Sequence, residues 1–116
     1  MGRVPSEIIS RRHGMTVWFI SRHPGALHWM KKNQIHFDEH LTHLQSDMIE
    51  PGDKVIGSLP VHLAARVCAA GGQYWNLSLE LPEQARGKEL TAQELDAYEA
   101  RLERYEVQFF PCITPP

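Results

Sequence analysis

The run Thr16-Val17-Trp18-Phe19-Ile20 is apolar or β-branched at every position, and it stops abruptly at Ser21-Arg22-His23. A strand without a polar face must be covered on both sides, which places it in the middle of a sheet between layers of helix. Pro24-Gly25 follows, and a helical pattern begins at once. Leu27, Trp29 and Met30 supply its apolar positions, and Lys31-Lys32 stand near its end, where cations complement the helix dipole. Pro24 suits the first helical turn, where no N–H is needed. A buried strand over residues 16–20 and a helix over residues 24–33 are therefore expected.

The same grammar returns further on. Lys54-Val55-Ile56-Gly57 reads as a second central strand, Gly57-Ser58-Leu59-Pro60 as a turn, and residues 61–70 as a helix. Its stripe is Leu63, Ala64, Val67 and Cys68, and Gly71-Gly72 ends it. Residues 74–79 make a third central strand. Between the two units lie a short, rather polar edge strand over 37–44 and a turn at Pro51-Gly52-Asp53. After them come a polar loop over 82–89 and a capping box, Thr91 with Glu94, opening a helix that runs to about residue 104. A last strand or extended segment is expected over 107–110 and a frayed, Pro-rich end over 111–116. Strands alternating with helices of this length predict an α/β three-layer sandwich with a mostly parallel central sheet. The 16–20 and 54–57 strands should be neighbours, so their C-terminal loops would form one ligand-binding edge.

A chain of 116 residues suits one domain. It is expected over residues 15–110, because Met15 directly precedes the first strand. Residues 1–14 are polar and basic, with Arg3, Arg11 and Arg12, and read as a disordered or extended arm without the apolar stretch of a secretory signal. The net charge of -2 gives no basic field for coating long nucleic acid, though a small anion in a local pocket is allowed. No apolar run approaches the roughly 18 residues that span a membrane. Two cysteines, Cys68 and Cys112, in such a chain imply a reducing cytoplasm rather than a disulfide framework. Seven histidines raise the question of a metal. His36, His40 and His43 cluster with Asp38 and Glu39, yet no His-Glu-x-x-His or paired-Cys pattern accompanies them, so no metal and no cofactor is expected. His13, His28 and His62 read as scattered surface or interface residues.

Chemistry concentrates at the strand ends. A helix N-terminus offers free N–H groups and partial positive charge to an anion. Arg22 adds a planar fork matched to phosphate oxygens. His23 can give or take a proton near neutral pH, and Ser21 offers a hydroxyl. Pro24 and Gly25 would let the backbone approach a ligand. Ser21-Arg22-His23 thus reads either as a phosphate-binding corner with acid/base capacity or as a capping serine beside a solvated Arg-His pair. Gly57, Ser58 and Leu59 read as a second set of backbone donors or simply as a tight turn. Asn76 and Ser78 on the third strand, with Arg86 and Lys88 in the loop after it, would overhang the same edge as a clamp, or belong to a solvated loop. No Gly-x-Ser-x-Gly elbow, P-loop or dinucleotide fingerprint is present.

Taken together, Val17-Trp18-Phe19-Ile20-Ser21-Arg22-His23-Pro24-Gly25, Pro51-Gly52-Asp53, Val55-Ile56-Gly57-Ser58-Leu59-Pro60-Val61, Leu77-Ser78-Leu79-Glu80-Leu81-Pro82 and Arg86-Gly87-Lys88-Glu89-Leu90-Thr91 resemble the Csx family numbered sixteen. Its members are small CRISPR-associated ancillary proteins of type III systems. The resemblance covers residues 15–105. It implies a Rossmann-like, CARF-like homodimer that takes cyclic tetra-adenylate across its two-fold axis. It also implies metal-independent ring nuclease activity, in which a ribose 2′-OH attacks its own phosphodiester to leave a 2′,3′-cyclic phosphate. In that setting Arg22, His23 and Ser21 would be catalytic, and Pro24, Gly25, Gly57, Ser58, Leu59, Asn76, Ser78, Arg86 and Lys88 would bind ligand. A non-catalytic sponge or sensor for the same ring is the alternative, and an interaction protein docking on the effector complex is a third reading.

Overall fold

The computed structural model describes residues 15–111 and Ile113. The expected arm over residues 1–14, with its arginines and His13, and the tail residues Cys112 and 114–116 lie outside the described residues. The described elements run β1 (Val17–Ile20), α1 (Pro24–Lys32), β2 (Glu39–Leu41), β3 (Lys54–Gly57), α2 (Val61–Ala69), β4 (Gln73–Ser78), α3 (Ala92–Ala97) and β5 (Arg101–Tyr105). Short 3-10 turns at Ser46–Met48 and Glu83–Ala85 join them.

The strands form one five-stranded sheet in the order β2-β1-β3-β4-β5. β2, β1, β3 and β4 are mutually parallel, and β5 is antiparallel to β4. Val17 and Phe19 face a core layer that also takes Trp29 and Met30 of α1, Leu95 of α3 and Leu102 of β5. Ile20 faces the opposite layer, where Val55 and Tyr74 meet Ala64 and Val67 of α2. Both sides of β1 are thus covered, as its lack of a polar face requires. β2 is laid down on one side of β1 and β4 on the far side of β3. Right-handed crossovers made in opposite lateral directions put α1 and α2 on opposite faces. Trp29 and Trp75 belong to the first layer, while half-buried Trp18 donates from its indole nitrogen to Asp53 Oδ2 at 3.1 Å.

One expectation fails at the C-terminal end. The helix that opens at Thr91 does have its capping box: Thr91 Oγ1 accepts from the Glu94 N–H and Glu94 Oε1 accepts from the Thr91 N–H. It stops at Ala97, however, rather than near residue 104. Ala100 N–H donates to Leu95 O and Glu99 N–H to Asp96 O, which closes the helix in a Schellman motif. The left-handed residue of that motif is Glu99, with φ of 59°, so no glycine marks the stop. From there Ala100 and Leu102 alternate inward while Arg101 and Glu103 turn outward, and the segment completes the sheet as β5. Residues 107–110, expected as a last strand or an extended segment, form no strand, and Phe109 and Phe110 are exposed.

Among the described residues, no helix is long and apolar enough to cross a membrane.

Candidate functional site

In a doubly wound sheet, ligands bind where neighbouring strands send their chains in opposite directions. Here that point lies between the C-terminal ends of β1 and β3. A cleft of about 520 Å³ opens there. Its polar rim carries Ser21, Arg22 and His23 from the end of β1, Thr42 and His43 from the end of β2, and Ser58 and Lys88. Its floor is apolar, with Leu59, Leu63, Leu77 and Leu79 among the residues that line it.

The β1 corner is built from β1 and β2 together. Ser21 N–H donates to Leu41 O at 2.9 Å, the last bond of the β1–β2 ladder. His40 Nε2 lies 2.8 Å from Ser21 O, and its ring stacks on Phe19 with centroids 5.3 Å apart. Ser21 Oγ accepts from the His23 N–H at 3.1 Å, folding the corner into the helix start. His23 is the N-cap residue of α1, but its imidazole caps nothing. Its Nδ1 faces Glu89 Oε1 at 3.7 Å across the rim, with both side chains more than half exposed (56% and 74%). Arg22 is exposed and has no hydrogen bond or ion pair among the described residues.

Gly25 is buried against the protein's own chain. A Cβ there would stand 1.7 Å from the carbonyl oxygen of Leu90. This contact ties the segment carrying Lys88, Glu89 and Leu90 to the start of α1. Gly57 makes the equivalent close approach between strands, since a Cβ there would come within 2.7 Å of Ile20 O.

The β3 corner hangs from Tyr74. Its phenol oxygen accepts from the Leu59 N–H at 2.8 Å, and its single proton has two acceptors within reach, Asn76 Oδ1 at 2.5 Å and Gly57 O at 3.2 Å. Burial pushes the Tyr74 phenol above its ordinary pKa, while the Leu59 N–H pulls the other way. The phenol therefore remains neutral near pH 7 and keeps a proton to donate. Tyr74→Phe is expected to strand the Leu59 N–H and cost about 1–3 kcal/mol. A urea melt checks this, and an unchanged midpoint would show that the turn does not depend on the phenol.

Not every sequence-derived candidate reaches the cleft. Ser58 lies on its rim, and its hydroxyl donates to Leu77 O at 3.1 Å. Asn76 and Ser78 share the sheet face of Tyr74, away from the cleft, to which β4 contributes Leu77 instead. Asn76 Nδ2 donates to Ser78 Oγ at 2.7 Å. The Ser78 hydroxyl in turn bonds the Glu103 carboxylate, which together with Arg101 holds that group below its ordinary pKa. Arg101 itself is held above its ordinary value, chiefly by its hydrogen bond to Glu80. Arg86 lies outside the lining, while Lys88 joins it.

Sequence reading missed Thr42 and His43 as site residues, Glu89 as the partner of His23, and the leucine floor. The parallel pairing of β1 with β2 is what brings residues 42 and 43 to the same end of the sheet as residues 21 and 22, and no local motif announces it. The histidine cluster itself disperses. His36 Nε2 meets Asp38 Oδ1 at 2.9 Å, His40 serves the Ser21 carbonyl, and His43 lies on the cleft rim. Among the described residues, no three His, Cys, Asp or Glu side chains converge as metal ligands.

Residues 18–108, most of the chain and all of the cleft lining, match the family model described as "Putative CRISPR-associated protein (Cas_VVA1548)". No curated protein and no solved structure matches the chain.

Proposed function

The chain belongs to this CRISPR-associated family, and from that premise we propose that it is a ring nuclease of type III CRISPR signalling, binding and linearising cyclic tetra-adenylate without a metal. The observation that carries the reading is the convergence of an unpaired arginine, a histidine beside a carboxylate, a serine turn and Lys88 around one apolar-floored cleft. That combination suits a nucleotide. Leucine side chains can cover a nucleobase, while the rim offers cations and a helix N-terminus to its phosphate. The net charge of -2 confines this attraction to the rim, which suits a small anion better than a long polyanion.

The chemistry follows from the order of groups along the rim. Holding the ribose 2′-oxygen in line with its own phosphorus supplies much of the acceleration. Arg22 stabilises the charge that builds on the phosphoryl oxygens in the transition state. His23, whose Nδ1 faces Glu89, presents Nε2 to the 2′-OH as general base. The O2′–P bond forms as the P–O5′ bond breaks, leaving a 2′,3′-cyclic phosphate and a 5′-OH. A second copy of the chain would present the same edge again, matching a ring with two-fold symmetry in a homodimer.

The deciding experiment is incubation of purified protein with cyclic tetra-adenylate in EDTA, followed by chromatography. Linear products ending in 2′,3′-cyclic phosphate are expected. An intact ring retained by stoichiometric protein would assign sequestration instead, and failure to bind the ring would remove both readings. Arg22→Ala is expected to weaken ring binding about 10- to 100-fold, the worth of a lost charge-assisted hydrogen bond, and to lower turnover as well. Unchanged affinity by calorimetry would release Arg22 from the phosphate.

A further inference from the structure

Attack by a 2′-oxygen needs two proton transfers, one from the nucleophile and one to the departing 5′-oxygen. His23 can serve one of them, and the other calls for a second group on the same cleft. We infer that His43 is that group, the general acid which protonates the 5′-oxygen as it leaves. The inference rests on the ring nuclease reading and adds to it a second catalytic residue.

Three observations place His43. It lines the cleft together with Arg22 and His23. The β1–β2 register pairs Trp18 with Glu39, Phe19 with His40 and Ile20 with Leu41. Two residues past the last of these pairs the two chains reach Arg22 and His43, both on the cleft rim. The Ser21 N–H to Leu41 O bond closes the last of those pairs, so both residues leave the sheet at the same end. His43 is also exposed and has no hydrogen bond or ion pair among the described residues, whereas His36 and His40 are engaged by Asp38 and the Ser21 carbonyl.

The two rim histidines therefore differ in kind. Nδ1 of His23 faces the Glu89 carboxylate at 3.7 Å, and Nε2 is the ring nitrogen left to a ligand. His43 has no such carboxylate and reaches the cleft from the end of β2 rather than from the start of α1. In-line displacement sets the attacking and leaving oxygens on opposite sides of phosphorus, which calls for an acid and a base that reach the cleft from different elements, here the end of β2 and the start of α1. Electrons and protons balance. The 2′-OH gives its proton to His23 while its oxygen bonds to phosphorus. The P–O5′ pair goes to O5′, which takes a proton from His43. Water then restores both rings.

The test uses cyclic tetra-adenylate and the same ring with sulfur in place of one bridging 5′-oxygen. A thiolate leaves without protonation, so the sulfur ring bypasses a missing acid. His43→Ala is expected to cut the oxygen ring at least about 10²-fold more slowly than the native protein, and to come within about tenfold of it at the sulfur linkage. His23→Ala should stay slow on both. A native rate for His43→Ala on the oxygen ring, or an equal loss on both rings, overturns the assignment and leaves the nuclease intact. Failure of the native protein to cut either ring overturns the nuclease reading, and the role of His43 with it. His43→Gln, which preserves polarity but carries no transferable proton, should behave as His43→Ala; a native rate in this variant also overturns the assignment.

Discussion

His23→Ala is expected to lower single-turnover cleavage of cyclic tetra-adenylate by about 10²–10⁴, the usual worth of a positioned acid or base. Affinity should change far less. The imidazole is more than half exposed, caps no helix N–H, and meets Glu89 only at 3.7 Å. Exposed pairs of that kind contribute about 0–1 kcal/mol, so the fold and the bound state lose at most about fivefold. The split between turnover and affinity is the diagnostic. A group that merely decorated the rim would move neither, and one that held phosphate would move affinity first. His23→Gln sharpens the test, since it preserves a donor but cannot exchange a proton in this range. Quenched-flow measurement on saturated protein gives the rate, and calorimetry on a non-cleavable 2′-deoxy ring gives the affinity. A full single-turnover rate in His23→Ala would mean that this residue moves no proton in the reaction.

Gly25→Ala is expected to damage fold and site together. The added methyl would have to occupy a point 1.7 Å from the Leu90 carbonyl oxygen and 2.8 Å from its carbon. Both are backbone atoms, so no rotamer change relieves the contact. Either α1 shifts against the sheet or residues 88–90 lift away from the rim. Overpacking of this kind costs about 1–3 kcal/mol and sometimes more. The upper end is expected here, because α1 is fixed behind by fully buried Trp29 and Met30. Lifting the segment would also carry off Lys88 and Glu89, so ring affinity and turnover should fall beyond what the loss of stability explains. Chemical denaturation and ring titration of the same sample read the two effects. Native values in both would show that the segment moves aside at no cost.

The layers of this fold are legible because burial on both faces leaves an unmistakable pattern. Residues 54–57 fall on the observed strand with identical bounds, and the β1, α1, α2 and β4 expectations lie within a residue of the structure at each end. The C-terminal third is less legible. Leu95, Tyr98, Leu102 and Tyr105 fall at spacings of three and four that suit one long helix, and the Glu99 turn has no glycine to contradict them. What wins is tertiary: β4 presents an open edge, and Leu102 reaches the α1–α3 core layer only as part of a strand. The site divides along the same line. The β1 and β3 corners are contiguous in sequence and could be read directly. His43 and Glu89 arrive from other parts of the chain, one through strand pairing and one through the Gly25–Leu90 packing. Asn76 and Ser78 follow from an alternation that sequence shows, but which of its two faces meets the cleft depends on where the helices lie.

The reversed fifth strand has a practical corollary. β5 runs back along β4 until Tyr105 stands beside Tyr74, near the beginning of β4. From there the Val107 N–H reaches Cys68 Sγ, near the end of α2. The chain therefore leaves the sheet at the pole where β1 enters it, and the cleft occupies the other pole. A domain with this polarity can be tethered through its last strand, by a fusion partner or a surface linker, while the working end faces outward. A domain ending on a fifth parallel strand would have brought its tether to the mouth of the cleft.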